Sequence, residues 1–371
     1  MERVNVVIVG GGVVGCAVAR AVSSRYADVF LLEQMPRLGM MTSTRNSGVI
    51  HSGLYYTPGS LKAQHCLAGN RMTYEFCSAH NVPHRRTGKL IVATTSEEEH
   101  ELVALMEKGR ANGVEGLTIL TREEMRAREP HIAGRAALLI PSTGIVSAEE
   151  LVKTYARLAA EQGASLLTHA RVEKLEAACE SVRVAARIGE AVETVEARCL
   201  VNSAGLFADE VAALLGPRPY RIYPVRGEYC EVVRAKSSLV SGLVYPLPHP
   251  EGLSLGVHFT RTLWDAVLVG PTARYVDDKH DYERGRETVE EFARRARLLL
   301  PEISVADLVP AYSGIRPKLV PPGGKGPADF IIERDAEFPQ VIHLVGIESP
   351  GLTAAPSIAE QVSAFVAETL G

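Results

Sequence analysis

The chain has 371 residues, 46% of them apolar and 23% charged, which is enough for a large core over about two to three domains and too apolar for a mainly disordered polymer. Forty Lys and Arg against 44 Asp and Glu leave a net charge of −4, and aromatic residues make up 6%. Such a chain offers neither a positive field for a phosphate backbone nor a row of stacking platforms, so nucleic acid is excluded as a partner.

The chain opens with Val4-Asn5-Val6-Val7-Ile8-Val9, a β-branched run without polar alternation, as expected of a strand covered on both faces. A glycine turn, a helix from about Val14 to Ser24 and a second strand at Val29–Leu32 complete a β-α-β unit of about 30 residues. The longest uncharged run, Val4–Ala19, has sixteen residues and is too short to span a bilayer. Capping boxes place helix starts at Ser96/Glu99, Thr121/Glu124, Ser147/Glu150 and Ser357/Glu360. Between Tyr220 and Val276 short strands broken by Pro246, Pro248, Pro250 and Gly252 predict an antiparallel sheet, followed by an amphipathic helix from about Tyr282 to Leu300. Strands of the first type return at Ala197–Asn202 and Val341–Val345. Six scattered cysteines (Cys16, Cys66, Cys77, Cys179, Cys199, Cys230) form no C-x-x-C pair, which argues against a disulfide framework or a zinc site and for a reducing, cytoplasmic compartment. No His/Cys/Asp cluster suggests any other metal.

Gly10-Gly11-Gly12-Val13-Val14-Gly15 fits G-x-G-x-x-G between the first strand and the helix, and Glu33 closes the second strand 18 residues after Gly15. Gly10 permits the tight turn, Gly12 lets the backbone approach a pyrophosphate, and Gly15 brings helix and strand together. Val13 and Val14 open a helix whose free N–H groups would face the phosphates, and Glu33 would accept hydrogen bonds from the adenosine ribose. A turn that serves packing alone is the competing reading. Two further segments favour FAD over NAD. Val201–Gly205 is a buried strand running into a small-residue turn, suited to passing beneath a cofactor at Ala204 and Gly205. Val345–Thr353 is a strand followed by an open loop holding Gly346, Ser349, Gly351, Leu352 and Thr353, and a helix capped by Ser357 would aim its positive end at the pyrimidine end of a reduced flavin.

With these segments the chain resembles the FAD-dependent oxidoreductases of the D-amino-acid-oxidase and glycerol-3-phosphate-dehydrogenase type over nearly its whole length. The stretch Thr44-Arg45-Asn46-Ser47-Gly48-Val49-Ile50-His51-Ser52-Gly53-Leu54-Tyr55-Tyr56 is similar to the L-2-hydroxyglutarate dehydrogenase/oxidase family, supported by Gly88–Ala93, Val225–Tyr229 and Gly256–Thr260. The family usually has His where Arg45 stands. Ser313–Lys318 is closer to the G-x-R-P segment of the amine-oxidising and glycerophosphate relatives, whose arginine binds the substrate's anionic group. The resemblance implies an α/β fold: a Rossmann-type FAD-binding domain (1–83, 145–219 and 325–371) interleaved with an α+β substrate domain on a mainly antiparallel sheet (84–144 and 220–324). It also adds Thr42, Ser43, Asn46, Ser47 and Val172 to the cofactor contacts. The FAD is expected to be non-covalent, since no cysteine falls near Ser313 or the C-terminal loop.

The implied reaction takes a hydride from the hydroxyl-bearing carbon of a small 2-hydroxy acid, L-2-hydroxyglutarate, and delivers it to the flavin. It needs a carboxylate anchor, a base and a dry face over the ring. Arg316 suits the anchor, with contact to the cofactor as well, because guanidinium grips carboxylate in two-pronged geometry; an interdomain ion pair is its other reading. Arg45 binds either a second carboxylate or a flavin phosphate. His51 is the leading base, against a packing role, and His258 is a second base or a hydrogen-bond donor to the carboxylate, against a satisfied core histidine. Tyr245 and Arg226 read as structural. The rival functions are an amine oxidase of D-amino-acid, glycine or sarcosine type, a glycerol-3-phosphate dehydrogenase, and a flavin-binding redox sensor or assembly subunit without turnover. Oxygen or quinone would accept the electrons. The tract Arg284–Arg297 reads as a solvated helix face, with peripheral contact to the inner membrane as the second reading.

Overall fold

The computed structural model describes residues 2–248, 255–324 and 326–371; Pro250 and Gly252 lie outside the described residues. In chain order, β1 (Glu2–Val9), α1 (Val13–Ser23), β2 (Val29–Leu32), β3 (Val49–Ile50), α2 (Leu61–Ala79), β4 (His84–Arg85), β5 (Lys89–Ala93) and α3 (Ser96–Ala111) come first. Then follow β6 (Thr118–Leu120), α4 (Arg122–Arg128), β7 (Ala136–Ile140), β8 (Gly144–Val146), α5 (Ala148–Glu161), β9 (Ser165–Leu167), β10 (Ala170–Ala177), β11 (Val182–Ile188), β12 (Ala191–Asn202) and α6 (Ala208–Ala213). The chain ends with β13 (Tyr223–Val232), β14 (Leu243–Pro246), β15 (His258–Arg261), β16 (Val267–Gly270), β17 (Arg274–Tyr275), α7 (Val289–Ala296), β18 (Leu308–Lys318), β19 (Ile331–Arg334), β20 (Val341–Val345) and α8 (Gly351–Leu370).

An eight-stranded sheet runs β10-β11-β12-β1-β2-β9, with β20 parallel on the end of β12 and β19 antiparallel on β20. The pairs β12-β1, β1-β2 and β2-β9 are parallel, while β10-β11-β12 is an antiparallel meander. The missing polar alternation of β1 now has its cause: Val6 and Ile8 pack with α1, α5 and α8, while Val7 and Val9 pack with the meander and α6. A nine-stranded, mainly antiparallel sheet runs β17-β13-β16-β15-β14-β5-β7-β6, with β18 on β13. Its one parallel pair is β14-β5. All its residues come from 89–140 and 223–318. The α/β architecture of a Rossmann-type sheet joined to a mainly antiparallel one is therefore the one expected.

Three local expectations need correction. The cap at the start of α3 is Thr95 with Glu98, one residue earlier than Ser96/Glu99, because Glu98 reaches back to the Thr94 and Thr95 amides. Ser357 caps nothing: α8 already starts at Gly351, and the Ser357 hydroxyl lies 2.9 Å from Nδ1 of His65. The helix expected over Tyr282–Leu300 is only Val289–Ala296, capped by Thr288, since backbone carbonyls ahead of it accept from the buried Arg226 instead. Arg294 and Arg295 pair with Glu291 and Glu287, while Phe292, Ala293 and Ala296 are buried in the core. That helix is a solvated face, and it keeps no apolar side for a membrane. Among the described residues no helix is long and apolar enough to cross one.

Candidate active site

At the first glycine turn the backbone comes too close for side chains. Gly10 has φ +105°, and a Cβ there would lie 2.5 Å from the Ser203 carbonyl oxygen; a Cβ on Gly15 would run into the carbonyl of Gly10. The Val13 N–H donates to Ser43 Oγ at 2.9 Å, and a Cβ on Gly12 would meet the same Oγ. Glu33 is buried, and its two carboxylate oxygens accept from the N–H groups of Gly11 and Met35, both at 2.7 Å. Burial pushes its carboxyl above the usual range, and these amides pull it partly back. Glu33 thus braces the turn as well as closing the strand.

From this turn a cavity of about 1450 Å³ runs to the nine-stranded sheet. That exceeds the ~300–1,000 Å³ usual for one small ligand, as a cleft for a dinucleotide plus a substrate must. Gly12, Val13, Val14, Thr42, Ser43, Arg45, Asn46, Ser47, Gly205, Ser349, Gly351 and Leu352 line it, as do His51, His258 and Arg316. Of the other expected cofactor residues, Gly10, Gly15, Glu33, Ala204, Gly346 and Thr353 stand behind the wall. Val172 does not line the cavity either; it is paired to Ala186 in β10, two residues after Ala170, whose N–H donates to the Glu33 carbonyl. The loop carrying Thr42 to Ser47 is tied to β18: Thr42 Oγ1 donates to the Ile315 carbonyl, and the Tyr312 hydroxyl to that of Asn46, both at 2.8 Å.

His51 follows β3 and is held through its backbone. Its N–H donates to Thr353 Oγ1 at 2.9 Å and its carbonyl accepts from Asn70. Nε2 lies 3.2 Å from Ser349 Oγ, whereas Nδ1 is buried with no partner. Burial, assisted by the cation of Lys89, pushes the imidazole down to about 3. His258 stacks on Tyr245 with ring centroids 3.6 Å apart, and its Nδ1 lies 2.8 Å from the Gly256 carbonyl. That partner fixes the proton on Nδ1 and leaves Nε2 a lone pair, so neutral His258 accepts rather than donates. Burial pushes this ring to about 3 as well; Gly256 opposes the shift, while Lys89, His51 and Arg316 reinforce it.

Arg316 reaches over Gly227, where a Cβ would sit 2.7 Å from a guanidinium nitrogen, and it donates to the Thr272 carbonyl at 3.3 Å. Among the described residues no carboxylate pairs with Arg316, so the ion-pair reading fails. Arg45 stacks on Tyr282 at 4.2 Å, also without a carboxylate partner. Arg226 is fully buried against Glu228 and Asp281 and is structural, but Tyr245 proves to line the cavity.

Sequence reasoning missed two groups. Lys62 and Lys318 flank Glu348 at 3.0 and 3.1 Å in the cavity wall. Burial opposes charge on Glu348, yet the two ammonium groups hold its carboxyl below the usual range. The other is Lys89, buried beside Tyr55 and Tyr245. Its signal was present as a lysine opening the apolar run Leu90–Ala93. The cavity's size and the side-chain-free glycine turn at one end, where a Cβ on Gly10, Gly12 or Gly15 would collide, together fit a bound FAD.

Comparison with known proteins agrees. The family model described as FAD dependent oxidoreductase matches residues 5–364. A protein named L-2-hydroxyglutarate dehydrogenase, mitochondrial, from Arabidopsis thaliana is 36% identical over 98% of this chain and 83% of its own length. The L-2-hydroxyglutarate dehydrogenase of Escherichia coli (strain K12) is 33% identical over 96% of this chain and 91% of its own. Among solved structures, dithionite-reduced L-alpha-glycerophosphate oxidase from Mycoplasma pneumoniae with FAD bound superposes with a TM-score of 0.90 at 27% identity, covering 99% of this chain and 95% of that one. Glycine oxidase from Geobacillus kaustophilus shares the fold, with a TM-score of 0.83 at 23% identity.

Proposed function

Because this chain belongs to the FAD-dependent oxidoreductase family, we propose that it oxidises L-2-hydroxyglutarate to 2-oxoglutarate at the sheet end of the cavity. The observation that carries the reading is one unpaired guanidinium and two uncharged imidazoles gathered there, Arg316 with His51 and His258. When bound, FAD supplies the hydride acceptor.

The chain's own residues do the rest. Gly12, Val13, Ser43, Gly205 and the loop from Ser349 to Leu352 hold the cofactor, with the N-terminus of α1 toward its phosphates. Arg316 grips the carboxylate next to the reacting carbon, and Gly227 leaves room for it. His51 Nε2, on the cavity side beside Ser349, accepts the hydroxyl proton, and His258 Nε2, which also carries a lone pair, is the alternative base. In the free protein burial, reinforced by the nearby cations, keeps both rings weak bases. The carboxylates of an arriving substrate offset Lys89 and Arg316 and raise proton affinity where it is needed. Arg45, which meets no carboxylate among the described residues, is left for a flavin phosphate or a substrate carboxylate. On this reading residues 1–83, 145–219 and 325–371 form the FAD-binding domain, and 84–144 with 220–324 form the substrate domain. The reaction is placed in the cytoplasm on the cysteine pattern, with oxygen or a quinone as acceptor.

The test is turnover of the holoprotein with an artificial acceptor, supplied separately with L-2-hydroxyglutarate, glycine, sarcosine and glycerol-3-phosphate. Only the first is expected to react, and His51→Asn is expected to lower kcat about 10²–10⁴-fold with FAD retained. Turnover of glycine or sarcosine alone would replace the hydroxy-acid reading by the amine reading that the Gly314-Ile315-Arg316-Pro317 segment resembles.

A further inference from the structure

Lys89 is a buried amine without a counter-ion, and burial pushes it from its ordinary 10.5 down to about 7, so it holds its charge fully only beside an anion. It opens β5, all of whose residues are buried, and is itself 2% exposed. Among the described residues its ammonium meets no carboxylate; it packs on the faces of Tyr55 and Tyr245, at 4.5 and 4.8 Å from the ring centroids. Of the lysines that line the cavity, Lys62 and Lys318 are by contrast neutralised by Glu348, whereas half-buried Lys108 meets no carboxylate among the described residues and donates to the Tyr55 carbonyl. Beside Lys89 the Tyr55 hydroxyl and His51 Nδ1 are also buried without partners. Tyr55, Tyr245, His51 and His258 all line the cavity, so this unpaired ammonium stands directly behind its wall. The loop bearing Tyr55 is fixed from α3: Lys108 donates to the Tyr55 carbonyl, and Asn112 to those of Gly53 and Tyr56.

Taking an ammonium out of water is costly, and two aromatic faces recover only part of that cost. A fold that retains such a charge next to a ligand cavity has use for an anion there. The proposed substrate carries two carboxylates, and Arg316 accounts for the one beside the reacting carbon. We propose that Lys89 is the counter-ion of the substrate's second, distal carboxylate, which enters between Tyr55 and Tyr245 and takes a hydrogen bond from the Tyr55 hydroxyl. The inference rests on the dicarboxylic-acid reading above and names the residue that makes it selective. A monocarboxylic 2-hydroxy acid would leave the ammonium unpaired, so discrimination follows from an unmet charge rather than from pocket length.

The test uses two ligands that cannot be oxidised at a hydroxyl, glutarate and butyrate, titrated calorimetrically into the holoprotein and its Lys89→Met and Lys89→Arg variants. Wild type is expected to prefer glutarate. Lys89→Met is expected to cut that preference about tenfold or more while raising the melting temperature of the ligand-free protein, because an uncompensated charge is replaced by an apolar chain of similar length. Lys89→Arg is expected to keep part of the preference. Equal loss of both ligands, an unchanged ratio, a lowered melting temperature in Lys89→Met, or no glutarate preference in wild type would each overturn the assignment. Since glutarate binding does not depend on turnover, a failure to oxidise L-2-hydroxyglutarate would sink the functional reading without deciding this one.

Discussion

His51 and His258 refuse protons in the folded chain that they accept when unfolded, and this sets how the protein responds to acid. Both rings are pushed from 6.5 to about 3, first by burial. The unfolded state therefore binds more protons between those values, and the stability contributed by the neutral rings is complete above about 6.5 and is lost as pH falls below it. The melting temperature is expected to fall between pH 7 and pH 5, with a shallower slope in the double variant His51→Asn/His258→Asn. Equal slopes would show that other groups govern acid unfolding. Gly227 gives a second prediction: the Cβ of Gly227→Ala would press on the Arg316 guanidinium, and KM for the substrate should rise about tenfold or more with FAD content unchanged. An unchanged KM would take Arg316 out of the carboxylate site. That His51, His258 and Arg316 come to one cavity was legible because each sits in a local motif. Lys89 was visible as an odd residue in an apolar run, but its lack of a counter-ion depends on Tyr55 and Tyr245, which are distant in sequence.

The C-terminal helix shows what an element-level reading misses. Ser357 and Glu360 have the spacing of a capping box, yet α8 starts six residues earlier, at Gly351, with no side-chain cap at all. What fixes that start is tertiary: Thr353 Oγ1 accepts from His51 and donates to Val49, and α8 packs on α2. The contact is closest at Gly69, where a Cβ would collide with the carbonyl of Thr353. Backbone lies on both sides, so Gly69→Ala cannot be absorbed by a side-chain rotation. It is expected to destabilise the protein by about 1–3 kcal/mol and to weaken FAD retention, measured by chemical denaturation and by flavin content after dialysis. A neutral substitution would mean that the two helices can separate without disturbing the site. By contrast β1, α1 and β2 were read to within two residues, because a turn with G-x-G-x-x-G between two buried strands leaves few other local solutions.

At the scale of the whole molecule, the cavity belongs to neither sheet alone. Its floor is the glycine turn and the C-terminal loop around the eight-stranded sheet, its far wall is β14, β15 and β18 of the nine-stranded one, and the Thr42–Ser47 loop is bonded across to β18. Interleaving was readable from where buried-strand signals recur along the chain. The convergence of Lys62, Lys318 and Glu348, separated by up to 286 residues, was not, since only the assembled fold brings them together. On the proposed function, this shared cavity removes a hydride from a hydroxy acid. Anaerobic mixing of the yellow holoprotein with L-2-hydroxyglutarate tests it most directly. The flavin should bleach in a single turnover with one equivalent of 2-oxoglutarate formed, while glycine, sarcosine and glycerol-3-phosphate leave the colour intact. Bleaching by an amine or by glycerol-3-phosphate, with none from L-2-hydroxyglutarate, would contradict it.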